Sequence, residues 1–181
     1  WAWKCATLLR SAKQSYRMLA GDRATRKNLE QLLEEFSDSS NVIIHLDHSV
    51  PNALLGDRRE SIIDSVNVSR LANHSVYSFS CQSASGIGKR GIDEGVRAWL
   101  GYSVEVGFNT IVVDWIRGIC LSPIHTFLRG GNFSEAWQGV TDLYEQGIQK
   151  VERLKYSKLS QAWLQHNLNG WELQGDGAVI P

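Results

Sequence analysis

Apolar positions along this chain change their period several times, and each change marks an element. Residues 1 to about 20 mix Trp, Leu, Ala and Lys and end at Gly21, which predicts a helix with a glycine stop. Asp22 is placed to cap the next helix, where Leu29, Leu32, Leu33 and Phe36 follow the i, i+3, i+4, i+7 spacing of one buried face. After the polar break Ser37-Asp38-Ser39-Ser40, Asn41 to Leu46 forms a short β-branched run, as expected of a strand covered on both faces. Pro51 to Arg59 reads as a loop with a turn at Gly56-Asp57, and Ser61 to Asn73 as a weakly patterned helix. Val76 to Ser80 is a second apolar strand, followed by a small, glycine-rich stretch from Ser83 to Gly91 that predicts a mobile loop.

Val96 to Val106 suits either a helix or a buried strand. Thr110 to Leu128 is long and apolar enough for a helix, bent at Pro123 and ended by Gly130-Gly131. Ser134 is placed to cap the next helix with Glu135 in its first turn, and Trp137, Val140, Tyr144, Ile148 and Val151 form its apolar stripe. A last helix from Ser157 to Leu168 and an edge strand with a turn, Trp171 to Gly177, complete the pattern. Helices alternating with strands predict an α/β sandwich.

The two strand runs also carry the chemistry. Ile43-Ile44-His45-Leu46-Asp47-His48-Ser49 delivers His48 before a small residue, and Val76-Tyr77-Ser78-Phe79-Ser80-Cys81 delivers Cys81 after one. If the strands are parallel neighbours, an imidazole and a thiol meet at their carboxyl ends, where open α/β sheets hold their sites. That pairs a nucleophile with its base. The backbone N–H groups of Ser49 and Cys81 would receive the oxyanion, and Asp47, Gln82 and Ser83 would neighbour His48 or the substrate. The bland alternative is a buried small thiol and a structural histidine. His45, inside its strand, is read as structural. Cys5 and Cys120 sit in apolar stretches and read as core.

Composition narrows the classes. The 181 residues suffice for one core, and 43% are hydrophobic. Lys+Arg and Asp+Glu are equal at 19 each, which gives no general electrostatic pull toward nucleic acid or anionic membrane. No apolar run is long enough for a membrane span. Three cysteines with no CxxC suggest neither a disulfide framework nor a zinc site and fit a reducing, cytoplasmic setting, and the His–Cys chemistry needs no cofactor. The start at Trp1 suggests a piece of a longer protein, and the Asn-x-Ser matches at Asn67, Asn73 and Asn132 are read as chance. Gly86-x-Gly88-x-x-Gly91 matches a dinucleotide fingerprint formally but is discounted because the fingerprint must open a helix directly after a strand and this run follows an intervening loop after Cys81.

With Asp47-His48-Ser49 and Phe79-Ser80-Cys81-Gln82-Ser83-Ala84 in order, the chain resembles the caspase-like cysteine peptidases, in particular CHAT domains and gingipain-like bacterial members. Their signatures are an apolar strand ending in His-Gly and another ending in Ala-Cys or Ser-Cys. Ala24 to Leu29 is similar to their helix before the His strand, Ala98-Trp99-Leu100-Gly101-Tyr102 to their strand after the nucleophile, and Leu128 to Trp137 to a later helix start. The resemblance implies a three-layer α/β/α sandwich with a mainly parallel sheet, residues 1–21 as a leading helix joined to a missing part, and 22–181 as the peptidase core. It also implies a His48–Cys81 dyad, a protein or peptide substrate, and control by a regulatory domain or partner in bacterial defence or cell death. Ser49 in place of Gly, and Asp47 in place of a small residue, depart from the pattern. Asp47, Glu105 and Asp114 are acidic candidates for meeting a basic substrate side chain, with solvated surface positions as the alternative. The competing class is a non-catalytic caspase-like interaction domain.

Overall fold

The computed structural model describes residues 2–36, 39–153 and 158–181. Helix α1 (Ala2–Ser11) is shorter than the 20 residues expected. Lys13 takes a left-handed φ of 56°, Gln14 N–H donates to Leu9 O, and Lys13 N–H donates to Arg10 O. This is a Schellman stop, with lysine at the position that glycine usually fills. Helix α2 (Arg26–Glu35) is capped by Thr25, whose hydroxyl accepts from Asn28 N–H at 3.3 Å, and not by Asp22.

Four strands form the main sheet in the order β1 (Val42–His45), β5 (Ser75–Ser78), β6 (Ala98–Tyr102), β7 (Trp171–Gly175). β1, β5 and β6 are parallel, and β7 runs antiparallel along the edge of β6. The segment that suited either helix or strand is therefore the strand β6, and its five residues are all buried. Strand alternation sends Tyr77, Leu100 and Tyr102 to one face and Val76 and Trp99 to the other. Burying such apolar side chains contributes about 1.5–3 kcal/mol each.

The first face is covered by α1, α4 (Val113–Leu128), α5 (Phe133–Arg153) and α6 (Lys158–Asn169). Pro123 sits buried inside α4. The cap of α5 is Asn132, not Ser134. Asn132 Oδ1 accepts from Glu135 N–H at 2.9 Å, and Glu135 Oε2 accepts from Asn132 N–H at 3.0 Å, a reciprocal capping box. The start expected for α6, Ser157, lies outside the described residues, as do Ser37 and Asp38 of the polar break.

The second face is covered by α2, α3 (Gly86–Asp93) and a small antiparallel sheet of β2 (Ser49–Val50), β3 (Ala53–Leu55) and β4 (Ser61–Ile63). This side corrects three expectations. Residues 51–59 hold a strand as well as the turn after Gly56. Residues 61–73 form β4 and a short 3-10 turn, Val68–Leu71, rather than a helix. Asp64 Oδ1 accepts from Val66 N–H and Asn67 Oδ1 from Asp64 N–H, so side chains take the donors a helix would need. The glycine-rich stretch is helix α3, whose glycines allow close packing: a Cβ on Gly91 would stand 2.9 Å from the Trp99 ring. No helix among the described residues is long and apolar enough to cross a membrane.

Candidate active site

β1 and β5 pair residue for residue up to His45 opposite Ser78, and Phe79 N–H extends the ladder by donating to His45 O at 2.9 Å. His48 and Cys81 each lie three residues beyond the end of their strand. Ser49 joins the two ends. Its hydroxyl donates to the Cys81 carbonyl in a short contact and lies 2.7 Å from Ser80 Oγ.

His48 is exposed, and its N–H donates to Asp47 Oδ1 at 2.9 Å. The Asp47 carboxylate is thus engaged with backbone. Leu55 N–H donates to His48 O, which makes Ser49 and Leu54 a non-hydrogen-bonded pair of the β2–β3 ladder. The Ser49 N–H therefore points away from β3. Cys81 N–H meets no backbone carbonyl among the described residues.

Cys81 is half-buried in a turn fastened to the segment after β6. Its sulfur accepts from Val106 N–H at 3.3 Å, Gln82 N–H donates to Val104 O at 2.8 Å, and Ala84 N–H donates to Tyr102 O at 2.8 Å. Gln82, the residue after the sulfur, is left-handed at φ 55°. Backbone strain of this kind gathers at sites where surrounding contacts hold it. Ser83 is fully buried and donates to the carbonyls of Ser78 and Ser80, bracing the turn from within. The segment 103–109 is itself clamped to α6. Asn167 accepts from Gly107 N–H and donates to Gly107 O, and His166 Nε2–H donates to Glu105 O. Of the acidic candidates, Asp47 and Glu105 are exposed beside this region, whereas Asp114 pairs with Arg117 along α4.

Beneath the site lies a cluster that pattern reading did not join together. His45 is buried, with Nε2 2.9 Å from Leu55 O and Nδ1 3.0 Å from Ser78 Oγ and 3.3 Å from Ser80 Oγ. Ser78 and Ser80 hydroxyls are 2.7 Å apart. The signal was present as polar residues on same-face positions of two apolar strands. Burial lowers the His45 pKa from its ordinary value, helped by the nearby His48 and opposed by the Leu55 carbonyl and Asp47. The ring is neutral, with Nε2–H donating to Leu55 O, so Nδ1 accepts.

Burial raises the thiol pKa of Cys5 and pushes that of Cys120 up to about 12. All three cysteines are free thiols. No group of three or more metal-ligating side chains occurs among the described residues. A hollow of about 350 Å³ lined by Trp115, Gln146, Gln149, Lys150 and Arg153 includes none of the site residues.

A solved structure, the complex of Porphyromonas gingivalis RgpB pro- and mature domains, superposes on 98% of the chain with a TM-score of 0.59 and 13% identity. The fold is caspase-like. At that identity the likeness shows the fold alone, and the chain spans 42% of the neighbour's length. No protein-family model and no curated protein matches the chain.

Proposed function

We propose that this caspase-like domain is a cysteine endopeptidase with Cys81 as nucleophile and His48 as base. The observation that carries the reading is the in-register β1–β5 pair, whose two extensions are tied together by Ser49 at the Cys81 carbonyl. His48 takes the Cys81 proton, and the thiolate attacks a peptide carbonyl. The oxyanion is received by the N–H groups of Ser49 and Cys81. The carbon–nitrogen bond breaks as the His48 imidazolium protonates the leaving amine. Water, deprotonated by His48, then hydrolyses the thioester and releases Cys81. No cofactor enters this scheme. We further propose that residues 22–181 are the effector core of a larger, regulated protein acting in bacterial defence or cell death in the cytoplasm, with residues 1–21 leading to the rest.

The test is Cys81→Ala and His48→Ala in the full chain, assayed against mixed peptide libraries. Cys81→Ala is expected to abolish cleavage while circular dichroism and urea unfolding stay as in the wild type. Cleavage retained in that variant sinks the assignment. A second reading, a caspase-like interaction domain without catalysis, draws on the Val106 N–H that already occupies the Cys81 sulfur. A thiol probe separates the two, because an activated Cys81 labels well ahead of buried Cys5 and Cys120.

A further inference from the structure

His45 touches neither the solvent nor the reacting atoms, yet its contacts end at the nucleophile's own backbone. Leu55 O can only accept, so the neutral ring places its proton on Nε2 and offers the Nδ1 lone pair to Ser78. At the other end, the Cys81 carbonyl can only accept, and Ser49 shares its single hydroxyl proton between that carbonyl and Ser80 Oγ, the latter at 2.7 Å. Ser80 donates to Ser78 at 2.7 Å, and Ser78 donates to His45 Nδ1. Each hydroxyl proton is thus directed by the fixed acceptors at the two ends. Every member is buried except Cys81, which is half-buried, and the chain ties β1, β3, β5 and the Cys81 turn together.

We propose that His45 is a positioning residue for Cys81, acting through the Ser78–Ser80–Ser49 hydroxyls to fix the carbonyl, and hence the sulfur, of the nucleophile. The proposal rests on the reading of Cys81 as nucleophile. An apolar residue at position 45 leaves the Ser78 hydroxyl and the Leu55 carbonyl unpaired, and the three serines lose the acceptor that orders them. The fold has other anchors for these strands, so the cost falls on the placement of Cys81. A glutamine retains one donor and one acceptor on a planar group and restores part of the order.

The experiment measures inactivation of the full chain by a panel of peptidyl acyloxymethyl ketones with a basic, acidic or apolar side chain beside the reactive group. The Cys81 sulfur displaces the carboxylate and forms a thioether. Iodoacetamide is the small-reagent reference. His45→Leu is expected to lower the limiting inactivation rate about tenfold to a hundredfold, as sub-ångström to ångström misplacement does, with the half-saturating concentration unchanged. His45→Gln recovers most of that loss. Ser80→Ala falls by a similar factor, and the double variant His45→Leu/Ser80→Ala falls no further than either single, as expected within one network. Val140→Ala, in the core of α5, lowers stability and keeps the rate.

A folded His45→Leu at the wild-type rate overturns the proposal, and so do additive losses in the double variant. If His45→Leu does not fold, Ser80→Ala at the wild-type rate overturns it instead. A wild-type protein that reacts no faster than His48→Ala removes the nucleophile reading and this inference with it, a result distinct from loss of the His45 effect alone.

Discussion

Two buried polar clusters occupy opposite faces of the main sheet. On the helix-covered face, Tyr77 Oη donates to Cys120 O at 2.6 Å, and the Tyr102 and Tyr144 hydroxyls meet at 2.7 Å. Phe79 and Trp171 close around Tyr102 at ring-centroid distances of 5.4 and 4.8 Å. Tyr144 also bonds the Asn167 side chain, which holds the Gly107 backbone beside Val106. On the other face, His45, Ser78, Ser80 and Ser49 are equally buried, but their chain ends at Cys81. Both clusters satisfy the rule that buried polar groups find partners. The difference lies in how each reaches Cys81, the first only by way of the Gly107 backbone and the second at the Cys81 carbonyl itself. The first is therefore expected to govern chiefly stability and the second chiefly reactivity.

The sharpest way to break that contrast is Tyr102→Ala. Removing a fully buried aromatic costs about 3–5 kcal/mol, and the Tyr144 hydroxyl loses one of its two partners, keeping Asn167. Urea unfolding should register the whole effect, while the folded fraction keeps the wild-type rate of Cys81 labelling. The backbone N–H and C=O of Tyr102 hold Ser83 and Ala84, and these survive the substitution. A folded Tyr102→Ala protein with a tenfold slower Cys81 would show that the two faces are one system.

A smaller but mixed effect is expected at Gly107. A Cβ there would stand 1.9 Å from the Trp163 ring, so Gly107→Ala forces the segment away from α6. Overpacking of this kind costs about 1–3 kcal/mol. Because Val106 N–H holds the Cys81 sulfur, Cys81 labelling should change as well as stability. Loss of stability with unchanged labelling would mean that the Val106 contact does not position the sulfur.

Some of this contrast was legible in the chain and some was not. The runs 41–46 and 76–80 announce strands because β-branched and aromatic residues crowd them, and the α5 stripe is long enough to fix its period. His48 and Cys81 stood out as candidates because each follows such a run. The small sheet was not, since strands of two and three residues carry almost no periodicity. Helix α3 was hidden because its glycines, which read as loop formers, serve close packing against Trp99. The His45 cluster shows a deeper limit. Its residues sit on two strands and a hairpin, and only the register that sets His45 beside Ser78 turns four separate polar side chains into one network.

The smallest expected effect, and the finest test of the contrast, is the pH dependence of stability. His45 and His74 are both held below their ordinary 6.5 by burial. For His74 the geometry agrees, because its Nδ1 accepts from Asn41 N–H and has no room for a proton. As pH falls below 6.5 the unfolded chain takes up protons that these rings refuse, so stability is lost from there downward, toward their lowered folded values. The tyrosines act in the opposite direction. Burial raises Tyr77 and Tyr102 well above the ordinary 10.0, and Tyr144 rises for the same cause. As pH climbs past 10 the unfolded chain releases protons that the folded tyrosines retain, so stability is lost upward. Urea unfolding across both limbs assigns them: His74→Gln should make the acid limb shallower, leaving the His45 share, without changing the alkaline one, and Tyr77→Phe should do the reverse, leaving the Tyr102 and Tyr144 share. If Tyr77→Phe altered the acid limb, the sheet would be transmitting charge between its faces, and the two clusters could no longer be treated as separate devices.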